Sequence, residues 1–165
     1  MAEEKLMKRC QKLAFYGVTE GDSVTYRRMT GFTEFSKTAN AQEYKRQYVD
    51  EEFERSDIVG YSPAFSYEFD RFTGNAVHTD IAAVTDGELT GNDAVRSIVV
   101  VDLSQKDESG ACAAVKRDFA LIPDSEGSST EAYTYSGRLK AAGGRVSGTA
   151  TSSDNWQTAV FTAAE

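Results

Sequence analysis

The densest group of chemically capable side chains lies between Asp50 and Asp57. Asp50, Glu51, Glu52, Glu54 and Asp57 surround a single cation, Arg55, and Phe53 sits among them. Paired carboxylates are the machinery of glycoside hydrolysis. Here, as elsewhere in the chain, the acids fall in a loop, where solvation accounts for them. An isolated aromatic in a charged loop has a second use, as an anchor inside a polar rim. Burying Phe53 in a partner would contribute about 1.5–3 kcal/mol. The stretch is therefore either an exposed, solubilising loop or an interface.

The other chemical candidates are incomplete. A nucleophilic serine needs a base, and His78 is the only histidine. Gly60-Tyr61-Ser62-Pro63-Ala64 resembles a nucleophile elbow but lacks its second glycine and lies within a strand pattern. His78 falls on a helical pattern and is expected at its surface, in the first turn. Asp86, Glu88, Thr90 and Gly91 imitate half of a calcium loop, but Ser97 stands where the bidentate Glu belongs. Cys10 and Cys112 have no metal-ligand spacing. No glycine-rich phosphate loop is present, because Gly143-Gly144-Arg145 lacks both the spacing and the lysine. The expectation is no catalytic residue, no metal and no cofactor.

The elements that position the acidic tip are legible from alternation. Val59, Tyr61, Pro63, Phe65, Tyr67 and Phe69 share one parity, and Gly60, Ser62, Ala64, Ser66, Glu68 and Asp70 the other. Such a period of two predicts one strand with an apolar and a small or polar face. Tyr44 to Val49 predicts a shorter partner, with Tyr44, Arg46 and Tyr48 on one side. Together they form a long hairpin with the acids at its tip and a hinge near Gly60.

Before the hairpin, residues 1–14 predict a short amphipathic helix or an arm that folds on assembly. Phe15 to Val18 reads as a loop, Glu20-Gly21-Asp22 as a turn, and Ser23 to Phe35 as one strand bent at Gly31. After it, Val77, Ile81 and Val84 mark one face of a helix of about three turns, ended by Asp86-Gly87. Ala94 to Leu103 is apolar on both parities and predicts a strand covered on both faces. Ala111 to Pro123, Tyr133 to Ala141, Val146 to Thr151 and Trp156 to Phe161 complete the strands. Gly143-Gly144 is expected to be a tight hairpin turn.

Totals agree with one domain over 1–165. The chain is 40% hydrophobic and carries a net charge of -8. That charge disfavours tight DNA binding by counterion release but permits DNA to pass without adhering. No apolar run approaches the roughly 18 residues of a membrane span. The N-terminal MAEEKLMKRCQKL lacks an apolar signal-peptide core, so a cytoplasmic site of synthesis is expected. The fold class is mainly β: a β-sandwich or barrel with one flanking helix and a long hairpin or loop spanning 41–61.

The ordered strings RMTGFTEFSKTAN, EYKRQYVDEEFERSDIVGYSPAFSYEFDRFTGNAVHTDIAAVTD and AVRSIVVVDLSQ resemble the major tail tube proteins of long-tailed bacteriophages or of related prophage elements in Firmicutes. The closing Gly-Gly-Arg-Val-Ser-Gly-Thr-Ala and Thr-Ala-Val-Phe-Thr are similar to that family's C-terminal hairpin. The resemblance implies a non-enzymatic virion protein, assembled in the host bacterial cytoplasm into hexameric rings that stack around a channel for the genome. Its implied partners are further copies of itself and other tail proteins: tape measure, tail terminator and baseplate or tip. Asp50, Glu51, Glu52, Phe53, Glu54, Arg55 and Asp57 would contact neighbouring subunits or rings. Ser62, Ser66, Glu68 and Asp70 would face the lumen, or alternatively the outer surface or a subunit seam. The alternative function is a β-sandwich binding module of another tail or baseplate component.

Overall fold

The computed structural model describes residues 3–165. The expected arm over 1–14 begins at Met1 and Ala2, which lie outside the described residues. From residue 3 to Lys8 the chain has no regular structure, and a single 3-10 turn, Arg9–Gln11, leads into the first strand. The helical spacing of Leu6, Cys10 and Leu13 is not realised beyond that turn. Leu13 belongs instead to strand β1 (Lys12–Glu20), which also takes up the Phe15–Val18 stretch expected to be a loop. Phe15 and Tyr16 are both fully buried, because they point to opposite faces of a strand covered on both sides.

Eleven strands are described, in two sheets. The expected strand Ser23–Phe35 is two: β2 (Ser23–Arg28) and β3 (Phe32–Thr38), which lie far apart in one nine-stranded sheet. Gly31 makes the corner with φ +77, a conformation glycine adopts without penalty. β4 (Ala41–Arg46) and β5 (Arg55–Tyr61) form the second sheet alone. β6 (Ala64–Asp70) pairs with β3 on one side and with β9 (Thr134–Ala141) on the other.

The long strand expected over Val59–Asp70 therefore breaks at Ser62-Pro63. Proline has no N–H to donate, so the ladder cannot run through it. The Pro63 carbonyl instead accepts from Ala141 N–H at 3.0 Å.

β7 (Val95–Lys106) and β8 (Cys112–Glu126) form the central pair. Along its other edge β8 meets two strands end to end. Its C-terminal half pairs with β9, and its N-terminal part with β10 (Val146–Thr151). Phe119 faces Ala141 and Lys116 faces Val146, so β9 and β10 run in the same direction beside β8. Gly143-Gly144 is thus a jog between collinear strands and not the expected hairpin turn.

β10 also pairs with β11 (Thr158–Ala163), and β11 with β2. With β1, β7 and β8 this closes a six-stranded ring, order β10-β11-β2-β1-β7-β8. A Cβ on Gly148 would sit 2.1 Å from the Thr162 carbonyl oxygen, so closure at β10 requires a glycine there. Phe15, Val99, Val101, Cys112, Ala114, Ala150 and Ala159 fill this barrel.

The outer face of the same strands carries Tyr16, Ile98, Phe119 and Leu121. These pack against Phe65, Tyr67 and Phe69 of β6, Tyr135 and Leu139 of β9, and the helix. Helix α1 (Ala76–Asp86) buries Val77, Ile81, Ala82 and Val84, as its spacing predicts. Asn75 caps it, its side-chain oxygen accepting from the N–H groups of Val77 and His78. A polar bridge ties the helix down. Asp80 accepts from the Tyr16 hydroxyl and, at 2.7 Å, from Arg96 Nε on β7. Burial, then the charge of Asp80, raises the Tyr16 phenol far above its ordinary range.

Candidate assembly interface

The β4–β5 hairpin stands apart from the body. Its ladder runs from Ala41 opposite Tyr61 to Arg46 opposite Arg55, with a bulge between Gln42 and Glu43. Neither strand pairs with the nine-stranded sheet. Two backbone-directed bonds clasp the base: Ser62 N–H donates to the Asn40 carbonyl at 3.3 Å, and Asn40 Nδ2 to the Ser62 carbonyl at 3.0 Å. The change from arm to body thus falls at Ser62-Pro63, two to three residues beyond the hinge expected at Gly60.

One face of the arm is held by its own polar contacts, with the buried Nη1 of Arg46 left without a partner. Tyr44, Arg46, Arg55 and Asp57 lie together by register. The Arg46 guanidinium sits 5.2 Å from the Tyr44 ring centre and 5.4 Å from that of Tyr48. It donates to Asp57 and, through Nε at 2.7 Å, to the Tyr48 hydroxyl. Those bonds, the one to Asp57 foremost, hold the Arg46 pKa above its ordinary value. Arg55 pairs with Glu51 at 2.8 Å. Gln47 Nε2 donates to the carbonyls of Glu51 and Glu52, each at 3.2 Å, and orders the tip.

The other face is unpartnered. Ile58 is 58% exposed, Val59 66% and Tyr61 61%. Val59 and Tyr61 share parity with the buried Phe65, Tyr67 and Phe69, but the break at Pro63 carries them off the body. At the tip Val49 is fully exposed and Phe53 is 77% exposed. Isolated two-stranded hairpins are marginal in water, and apolar groups left in solvent add nothing to hold this one.

The structure brings Asp50, Glu51, Glu52, Phe53, Glu54, Arg55 and Asp57 to one end of the arm and divides their roles. Glu51 and Asp57 are engaged within the arm by Arg55 and Arg46. Asp50, Glu52 and Glu54 have no ion-pair partner among the described residues. The turn itself spans residues 47–54, because Arg55 to Asp57 already belong to β5.

Ser66, Glu68 and Asp70 lie half-buried on the face of β6 opposite Phe65, Tyr67 and Phe69. Cross-strand neighbours Glu34, Ser36, Ser136 and Arg138 share that face. Ser62 is not with them on β6 but in the clasp at the arm's base.

His78 is not a surface residue. It is fully buried, 4.4 Å between ring centres from Phe69. Phe72 N–H donates to its Nδ1 at 3.1 Å, which leaves the proton on Nε2 to donate to the Thr30 carbonyl at 2.7 Å. Burial, as the largest cause, lowers its pKa. A neutral imidazole whose two nitrogens are both engaged is a structural joint between α1 and the β2–β3 corner. No group of three or more potential ligands that could hold a metal ion occurs among the described residues. No helix among the described residues is long and apolar enough to cross a membrane.

No protein-family model matches this sequence, and no curated protein matches it. Two solved structures are similar to it. A chain of the anti-feeding prophage baseplate, determined by cryo-EM with sixfold symmetrisation, superposes with a TM-score of 0.50 at 10% identity, covering 89% of this chain and 97% of that one. A chain of the tube-terminating cap of the anti-feeding prophage gives a TM-score of 0.49 at 17% identity, covering 90% and 95%. At 10% identity the likeness to the baseplate chain is one of fold.

Proposed function

We propose that this protein is a structural subunit of a phage-type tail tube, which self-assembles without catalysis into hexameric rings that stack into a channel for the genome. The arm carries the reading. A projecting hairpin whose apolar side chains find no cover in its own subunit needs another molecule to bury them. Fold supports it too, since the baseplate chain that superposes on this one was solved in a sixfold-symmetrised assembly. The resemblance of the sequence to tail tube proteins supplies the specific form of the assembly. Its place is then the virion tail, with tape measure, terminator and baseplate or tip proteins at its ends, and DNA passing without being bound.

Negative-stain electron microscopy of concentrated protein tests this. Stacked rings or tubes of uniform diameter are expected. Ring closure with one partner type but never with itself would favour the second reading, a component of the baseplate or another tail part. That reading draws on one observation, that the superposing chain belongs to a baseplate.

A further inference from the structure

The sequence is acidic overall, yet its basic side chains are not evenly spread. A groove of about 720 Å³ runs between the N-terminal segment, β3, the start of β6 and the outer faces of β7, β8 and β10. Lys8, Arg9, Lys12, Lys37, Arg117 and Arg145 line it. Phe65, Ile98 and Phe119 form an apolar floor, each of them buried.

The single carboxylate among the lining residues, Asp102, lies opposite Lys12 in the β1–β7 register and offsets only part of this charge. It accepts from Ser104 N–H, Ser104 Oγ and Gln105 Nε2. None of the six cations forms an ion pair among the described residues. Arg9 is spent on the carbonyls of Lys12 and Phe35, and the buried Nε of Arg117 has no partner. Partial burial, and then Lys12, Arg117 and Arg145, push the Lys37 ammonium below its usual pKa. An excess of positive charge, six cations to one carboxylate, around an apolar floor is complementary to a segment of opposite sign with an apolar anchor.

We propose that this groove receives the tip of the arm of a second copy of the chain, residues 49–54, with Phe53 on the apolar floor and Asp50, Glu52 and Glu54 against the basic rim. The inference rests on the arm being an assembly contact and names its receptor. The tip holds the carboxylates left without partners in the arm and the most exposed aromatic ring of the described residues. A chain cannot fill its own groove with its own tip. Ser36, Lys37 and Pro63, which flank the arm's base, line the groove. Six ladder positions then hold the tip about 20 Å from that base. Tip and groove are different surfaces, so the contact is head-to-tail and propagates into a closed ring or a filament.

Two full-length variants test the assignment by complementation. A tip variant carries Glu52→Gln, Phe53→Ser and Glu54→Gln. A groove variant carries Lys37→Glu and Arg145→Glu, both at exposed positions, so that folding is retained and can be checked by thermal melting. Sedimentation velocity is expected to show self-association of the wild-type chain, loss of association in each variant alone, and a 1:1 dimer on mixing them. The groove variant's tip then enters the tip variant's groove and propagation stops.

Two monomers in the mixture would overturn the proposal. A groove variant that associates like the wild type, while the tip variant does not, would overturn it and leave the arm as a contact that docks elsewhere. If both variants associate like the wild type, the arm reading falls with it. Carbodiimide coupling of the concentrated wild-type protein, read by mass spectrometry, gives a second measurement. Intermolecular links from Glu52 or Glu54 to Lys37 or Lys12 are expected. Tip carboxylates linked only to lysines outside the groove would overturn the assignment.

Discussion

Two antiparallel pairings in this molecule use the same backbone ladder to different ends. β6 and β9 pair over seven positions, and their apolar side chains are sealed beneath α1 and the outer face of the barrel. Phe69 stacks on Tyr135 at 5.5 Å and on His78 at 4.4 Å, and has no exposed surface. β4 and β5 pair over six positions and seal nothing. Ile58, Val59 and Tyr61 are of the same chemical type as the residues of β6 but remain in solvent. Alternation makes a strand in both places. What differs is whether a second layer reaches the apolar face, and Pro63 decides this by sending the chain into two sheets. The body therefore covers its apolar faces with its own layers, while those of the arm stay in solvent.

The sharpest way to break this contrast is to truncate one aromatic in each region. Phe69→Ala should destabilise the isolated chain by about 3–5 kcal/mol, since a fully packed ring leaves a cavity that its neighbours fill only in part. Chemical denaturation would measure it. Next comes the bridge between helix and barrel. Asp80→Ala strands the Tyr16 hydroxyl and the Arg96 guanidinium together and should cost about 2 kcal/mol. Removing the helix cap by Asn75→Ala should cost about 1 kcal/mol, seen as a lower melting temperature with an unchanged strand signal.

Phe53→Ala belongs at the other end of the scale. It should move the stability of the monomer by less than about 0.5 kcal/mol while reducing self-association. A loss comparable to that of Phe69→Ala would mean that the arm packs on its own body, and the contrast would fail. Hydrogen exchange sharpens the same point. Amides of Val95–Leu103 should exchange slowly in the monomer and those of 47–54 quickly, with β4 and β5 gaining protection on assembly.

Acidity should also act on the body. His78 is neutral when folded, with a pKa lowered by burial, so the unfolded chain takes up a proton first as pH falls. Its contribution is full above the ordinary histidine value of about 6.5 and is lost progressively below it. Asp154 contributes in a lower window. Bonds from Thr158 and Ser152 hold its pKa at about 2, so its share is present above the usual carboxylate value and disappears as pH falls towards that figure. His78→Gln should flatten the stability profile between about pH 7 and 5 and leave the acidic limb unchanged.

Local pattern carried much of this architecture. The spacing of Val77, Ile81 and Val84 placed α1 and its end at Gly87, because a helix one face wide repeats its apolar residues by geometry alone. The two-sided apolarity of Val95 to Leu103 marked β7 as covered on both faces, and it is the strand shared by barrel and outer core. The acidic tip around Phe53 was legible as a cluster because its members are neighbours in sequence. The Tyr44, Arg46 and Tyr48 parity was legible as a shared side, though not the stacking that uses it.

Other features had no local signature. Gly143-Gly144 has the composition of a hairpin turn, yet β8 offers one continuous edge to both β9 and β10, so the pair became a jog. His78 has the position of a surface residue in a first helical turn, but the β2–β3 corner closes over it and supplies the Thr30 carbonyl. Phe15 to Val18 looked like a loop because a strand buried on both faces shows no alternation to read.

The residues of the basic groove show most clearly where sequence stops. Lys12, Lys37, Arg117 and Arg145 lie on four different elements or their connections, and no window of the sequence contains more than one of them with a neighbouring apolar floor. By itself the sequence determined strands, one helix and an acidic, aromatic-centred tip, since these depend on residues a few positions apart. Only the tertiary structure decided that the arm parts from the body at Ser62-Pro63 as a separate sheet and that scattered cations converge. Both follow from chain crossings that bring distant segments together, and those are set by which apolar faces find cover.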